Sequence, residues 1–340
     1  MKILLGVLSL GFALVISSTW VLEEQVTDSV FDPENIWLVA KDSLVINDLG
    51  VNSSPVNLVD VKKDILLKSL KTGQGPSETS STFYKRITKF SNGDLLLWDA
   101  GLNRITKYEN DLTYIVDISG SAFNKRLYQA AVINDSTLMT IDNTEDFLKV
   151  WRLKNDRINT EDLLWSLKYS DYESLEPLAN FILLQTLYYD NYEGVLYIAF
   201  EFSSIILAID EDGVNFINDK PDLIPLPKNK EQQMGLPAMG KHPEGSRDVS
   251  VDGKYVYLLF SGDTISRFEQ MKYTFNFEVL IDKVKHTNRL LLFNRITGVF
   301  IKEMKLPILA KNFKINNNEA YLLNSLEEAP KILKYRIDDY

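Results

Sequence analysis

The chain has 340 residues, 45% of them hydrophobic and 25% charged, the composition of a folded globular protein rather than a disordered one. Its formal net charge of -10 repels phosphate backbones and anionic lipid, which argues against nucleic acid as a partner and against electrostatic membrane anchoring. With no cysteine there are no disulfide staples, thiolate metal sites, cysteine nucleophile or lipid-modified N-terminal cysteine, and two histidines are too few for a three-imidazole centre.

The first twenty residues, "MKILLGVLSLGFALVISSTW", carry one lysine, an apolar run and then small polar residues. That layout predicts a secretory signal peptide with cleavage after Ser18, and residues 1–20 are set apart from a single domain over 21–340. The alternative is an uncleaved anchor, in which case these residues make the only membrane contact; either way the bulk of the chain is expected outside the cytoplasm.

Next come "DSLVIND" and "PVNLVDV" at 42–61, two strand-like runs in sequence. The stretch "TGQGPSE" follows at 72–78. It lacks the Gly-Lys-Ser/Thr ending and the helix of a phosphate-cradling loop, and reads as a turn. In that turn Gly73 and Gly75 allow positive φ, Pro76 fixes a bend and Glu78 accepts backbone hydrogen bonds.

"YKRITKF", a hairpin signal at Asn92-Gly93, "DLLLWDA", "RITKYEN" and "LTYIVDI" then make four consecutive strands. Leu95, Leu96, Leu97 and Trp98 are consecutive and apolar, so that strand is covered on both faces. The same grammar returns in "STLMTID" with "FLKVWRL", "GVLYIAF" with "SIILAID", "KYVYLLF" with "NRLLLFN", and "EAYLLNS" with "KILKYRI". Successive copies begin roughly 43 to 65 residues apart, at or above the period of propeller blades. Six copies of a four-stranded antiparallel unit predict an all-β fold, a six-bladed β-propeller. The last copy runs out after "LAKNFKI" and two more strands. The segment around "EQVTDSVF" is therefore expected to supply the missing strand and close the ring; a three-stranded last blade with a loose N-terminal arm is the alternative.

"NGDLLLWDAGLNRITKYEN" resembles the repeat of NHL-type propellers, in which an Asp ends the second strand and Arg-Ile begins the third. "TGQGPSE", "KYVYLLFSG" and "NRLLLFNRITGVFIKEMKL" resemble the TolB-like six-bladed propellers of Bacteroidetes envelopes. Of that group's Gly-x-Gly-Pro-Gly-Glu turn, Gly73, Gly75, Pro76 and Glu78 match, and Ser77 stands in place of a glycine. The resemblance implies the fold and an envelope location, but no reaction. Many members are lipoproteins; the missing cysteine departs from that pattern.

In a propeller the connections from strand four to the next strand one, and from strand two to strand three, share one face. The two longest, expected at 215–246 and 261–288, meet there beside the fifth blade, and that face is the expected binding site. Both histidines fall in them. His242 and His286 with Glu244 or Asp263 would make a metal site, but Lys241, Lys283 and Lys285 oppose a cation, so no metal is assigned. Arg86, Arg126 and Arg247 lie at or just before inner strands, where they either bind an anionic group or pair with ring carboxylates. Tyr172, with Tyr169, Tyr188, Tyr189 and Tyr192, either forms an aromatic platform for a sugar or peptide or wedges between blades.

These features favour an extracytoplasmic binding or scaffolding module whose partner is a protein, peptide or glycan of the cell envelope, with no cofactor. The competing reading is a metal-dependent propeller enzyme, lactonase- or lyase-like, using calcium or zinc at the central channel. A purely structural envelope component is the third.

Overall fold

The computed structural model describes residues 19–27, 32–48, 54–81, 85–123, 127–142, 144–176, 187–201, 203–218, 245–262, 286–326 and 330–338. Strand β1 (Thr19–Val26) precedes the first blade, which is β2 (Pro33–Ala40), β3 (Ser43–Asp48), β4 (Val56–Asp60) and β5 (Ile65–Leu70). Blade two is β6 (Lys85–Lys89), β7 (Leu95–Asp99), β8 (Arg104–Tyr108) and β9 (Tyr114–Ile118). Blade three follows with β10 (Gln129–Asn134), β11 (Thr137–Ile141), β12 (Leu148–Arg152) and β13 (Leu163–Leu167). Blade four is β14 (Leu187–Tyr192), β15 (Val195–Phe200), β16 (Ile206–Ile209) and β17 (Val214–Asn218). Blade five is β18 (Ser246–Val251), β19 (Tyr255–Phe260), β20 (Thr287–Asn294) and β21 (Phe300–Ala310). Blade six contributes β22 (Asn312–Asn316), β23 (Glu319–Asn324) and β24 (Lys331–Asp338).

Each blade is an antiparallel meander, and the sixth is completed by β1 in the order β1-β24-β23-β22. The fold is thus a six-bladed all-β propeller closed by its N-terminal segment, as the repeat predicts. The closing strand lies earlier than expected. It runs from Thr19 to Val26, with Trp20 opposite Ile337 and Val26 opposite Ile332, while "DSVF" lies outside the described residues. Thr19 and Trp20 therefore belong to the ring, which begins two residues before the expected boundary at 21.

The consecutive apolar residues of the second strands have a simple cause. In β7, Leu95 and Leu97 pack into a cluster shared with blade one, whereas Leu96 and Trp98 pack into a cluster shared with blade three. In β15, Leu196, Ile198 and Phe200 face blade three, and Tyr197 and Ala199 face blade five. Alternation sends successive side chains to opposite faces, so a strand with a blade on each side is apolar throughout. Six such clusters, one at each blade junction, make up the core and leave the axis to polar groups. The Asn92-Gly93 turn joins β6 to β7, with Gly93 at φ 94, a left-handed value that glycine adopts without a steric cost.

Two expected loop boundaries are corrected. Residues 214–218 pair with β16 as the fourth strand of blade four, and β20 begins at Thr287, so the long connections are 219–245 and 261–286. Of these, 219–244 and 263–285 lie outside the described residues.

Candidate functional site

The stems of the two long connections are joined to one another. The Gly245 N–H donates to the Glu201 carbonyl at 3.0 Å, and the Ser261 N–H donates to the Gly245 carbonyl at 2.9 Å. The Ser246 hydroxyl donates to the Ser203 carbonyl at 2.6 Å, and the Thr287 hydroxyl to the Phe260 carbonyl at 3.0 Å. Both connections thus leave and re-enter the ring at one place, beside the strand two to strand three turn of blade four. Arg247 stands directly below. It is 2% exposed, pairs with Glu201 at 2.9 Å, and also hydrogen-bonds Tyr188. Burial, reinforced by the Glu201 charge, raises the Tyr188 phenol above its ordinary range, so it stays neutral at physiological pH while its oxygen accepts from Arg247.

Along the axis the innermost strands present an unpaired edge, and side chains of a neighbouring blade satisfy it. Asp190 accepts from the Val251 N–H and from the Ser250 hydroxyl, each at 3.0 Å. Ser250 accepts from the Ile315 N–H at 3.1 Å. Asp248 accepts from the Phe313 N–H at 3.0 Å and from Lys314 Nζ at 2.9 Å. Asn312 accepts from the Ile36 N–H at 3.1 Å, and Thr88 from the Val132 N–H at 2.9 Å. A buried N–H left without an acceptor is destabilising, so these side chains are spent on holding the ring. Asn191 reaches across to bond both the N–H and the carbonyl of Lys89, and Arg86 Nε donates to the Leu187 carbonyl at 3.3 Å, so blades two and four meet at the axis.

The sequence-predicted residues are placed as follows. Arg86 and Arg247 both lie toward the upper channel; Arg126 lies outside the described residues. Arg247 has its carboxylate, Glu201; Arg86 stacks over the Tyr188 ring at 5.8 Å and has no carboxylate at ion-pair distance among the described residues. His286 is 3% exposed, and its Nε2 accepts from the Ser325 N–H at 3.2 Å, tying blade five to blade six. His242, Glu244 and Asp263 lie outside the described residues; among those described, no group of three metal-ligating side chains comes together.

The tyrosines are dispersed rather than gathered on one platform. Tyr169 stacks on Phe147 at 3.8 Å, Tyr172 meets Phe216 edge-on at 4.9 Å, and Tyr189 is buried with its hydroxyl on the Ala130 carbonyl at 3.1 Å. Tyr192 sits under Arg295 at the other end of blade four. In the "GQGPSE" turn, Glu78 Oε2 accepts from the Gly75 N–H at 2.7 Å, and Arg104 Nη1 donates to the Gly75 carbonyl at 2.9 Å. The two glycines are needed for a different reason from the expected one. Neither Gly73 nor Gly75 has positive φ; a Cβ on Gly73 would stand 1.9 Å from Glu78 Oε2, so the glycines make room for that carboxylate.

Residues not singled out from the sequence also line the channel: Trp37, Asp190, Asp248, Ser250 and Lys314. Their signal is a polar side chain inside an inner strand, as in "SRDVSV" and "NFKIN", where an acid or lysine interrupts a buried run.

No family model and no curated protein matches the chain. Solved structures do. A member of the DUF4221 family from Bacteroides vulgatus is 12% identical, with a TM-score of 0.56 over 95% of this chain and 98% of its own. A candidate exported protein from Bacteroides fragilis is also 12% identical, with a TM-score of 0.54 over 95% of each chain. A protein of unknown function from Bacteroides thetaiotaomicron is 10% identical, with a TM-score of 0.51 over 95% of this chain and 77% of its own. At this identity the likeness is one of fold.

Proposed function

We propose that the chain is an exported binding propeller of the TolB-like or NHL-like kind, which holds a protein, peptide or glycan of the cell envelope on the face that carries its two long connections. The observation that supports this reading is the hydrogen-bonded junction at Gly245 and Ser261, where described ends of the two connections meet. Long connections in a compact domain are where binding residues concentrate, and a rigid ring beneath them fixes their ends. Binding is favoured over catalysis because the axial carboxylates Asp190 and Asp248 are engaged by backbone N–H groups, a hydroxyl and Lys314. Export is supported by the apolar leader at 1–18 and by the candidate exported protein among the structural neighbours.

The test is co-sedimentation of the purified protein with insoluble envelope material from a Bacteroides species. It is run beside a variant in which residues 219–244 and 263–285 are replaced by short Gly-Ser linkers, with folding of both checked by circular dichroism. The intact protein is expected in the pellet and the folded variant in the supernatant. Equal partition of the two would overturn the assignment of the face.

A further inference from the structure

The six strands nearest the axis carry five cations, Lys85, Arg86, Lys89, Arg247 and Lys314, against three carboxylates, Glu34, Asp190 and Asp248, in a chain whose net charge is -10. A concave channel with low-dielectric walls focuses such a field on whatever enters it. Most of these charges are engaged. Lys314 pairs with Asp248 at 2.9 Å, Arg247 with Glu201 at 2.9 Å, and Glu34 with Lys311 at 2.8 Å. Arg86 differs. Its Nε and Nη1 donate to the Leu187 and Lys85 carbonyls at 3.3 and 3.1 Å, and its remaining terminal nitrogen has no partner among the described residues.

Trp37 is a second unpaired donor on the same wall. The indole N–H groups of Trp98, Trp151 and Trp165 donate to the Tyr128 carbonyl, the Thr140 hydroxyl and the Glu211 carbonyl. That of Trp37, a residue only 7% exposed, has no partner among the described residues. Arg86 and Trp37 border one space of about 10 Å³ together with Asn35, Asn312, Tyr188 and the Asp248 carboxylate, whose charge is offset by Lys314 at 2.9 Å. Trp37, Tyr189 and Lys314 border both that space and a cavity of about 280 Å³, which reaches the turns at Gly253 and Asn317 and also takes in Lys89. The smaller space has room for about one oxygen-sized atom. The larger suits the body of a small molecule.

We propose that the axial channel binds a small organic anion, with one anionic oxygen on the Arg86 guanidinium and the Trp37 indole N–H and the remainder of the molecule in the larger cavity. A carboxylate and a phosphate monoester share the required chemistry, an acceptor-only oxygen with negative charge. The site is separate from the insertion-bearing face and does not depend on what that face holds.

The experiment uses the full chain labelled with ¹⁵N-tryptophan, its Trp37 indole resonance assigned from Trp37→Phe. It is titrated with acetate, succinate and inorganic phosphate, against sodium chloride at matched ionic strength. A saturable shift of the Trp37 resonance is expected with the carboxylates or with phosphate, which identifies the anion class, and none is expected with chloride. Arg86→Gln should weaken the apparent affinity at least tenfold, with Arg86→Lys between it and the wild type. Trp37→Phe, followed by the rise in melting temperature with anion, should weaken it about fivefold, the loss of one hydrogen bond. Arg86→Gln also loses the bonds to the Leu187 and Lys85 carbonyls, so its fold is checked by circular dichroism and its affinity is read only below its own melting transition. The absence of a saturable shift with all three anions would overturn the proposal, as would affinity unchanged in Arg86→Gln.

Discussion

Lys85 opens the second blade with 0% of its surface exposed, an unusual place for an amine. Burial pushes its pKa down to about 8, with the Asp99 carboxylate pulling the other way. Burial also pushes Asp99 up, but hydrogen bonds from Ser80 and Thr79 outweigh it and hold that carboxyl below its usual value. An unfolded lysine keeps its proton to about pH 10.5. Below pH 8 both states carry the proton and the penalty for burying it is complete. Between about 8 and 10.5 the unfolded state binds more protons than the folded one, so stability rises with pH. Above pH 10 the buried phenol of Tyr108, pushed up to about 12, opposes further gain, because the unfolded tyrosine ionises first. Urea denaturation should therefore show a rise in stability from pH 7.5 to 9.5 that disappears in Lys85→Met. A rise of equal size in the variant would place its origin elsewhere. None of this was legible in "YKRITKF", which identifies the strand but not the partner of its lysine. The axial bonds were hidden for the same reason: Asp190 and the Val251 N–H it accepts from are 61 residues apart and in different blades.

At the scale of elements, second strands could be read from the sequence because they are covered on both faces and carry apolar runs such as Leu95 to Trp98, whereas a third strand such as β8 was legible from Ile105 alternating with polar neighbours. The fourth strands are half exposed and leave a weaker pattern. β17, with one buried residue in five, was absorbed into the long connection that follows it. β1 was anticipated from the missing strand of blade six but misplaced, since its residues continue the apolar run of the leader and Leu22 is 51% exposed. Its function is physical closure. Lys334 on β24 is 5% exposed and reaches Asp42 of blade one at 2.5 Å, Glu319 at 3.1 Å and Glu23 of β1 at 3.7 Å. Burial would lower the pKa of that amine, but the bonds to Asp42 and Glu319 prevail and raise it. A chain beginning at Thr27 loses the outer strand and exposes the edge of β24. It should aggregate or melt over a broad range by light scattering and circular dichroism, and addition of the peptide TWVLEEQV should restore a sharp transition. A truncated chain that melts like the parent would show that β1 does not close the ring.

For the whole molecule, six apolar clusters between blades carry the fold, and of the channel-lining residues Trp37 and Tyr189 belong to them as well. The repeat is written in the blade cores and is legible. The residues at the axis are single positions whose meaning depends on closure of the ring, as with Trp37, which lines the channel while packing in the cluster between blades one and two. The central claim, that the face bearing both long connections is the working face, is most directly tested by photo-crosslinking in intact cells. A benzoylphenylalanine is placed at Met234 or Phe268 in the connections, and in separate proteins at Glu193 or Asn317 in the turns of the opposite end. The account predicts discrete higher-mass adducts from positions 234 and 268 and none from 193 and 317; adducts confined to 193 and 317 would contradict it.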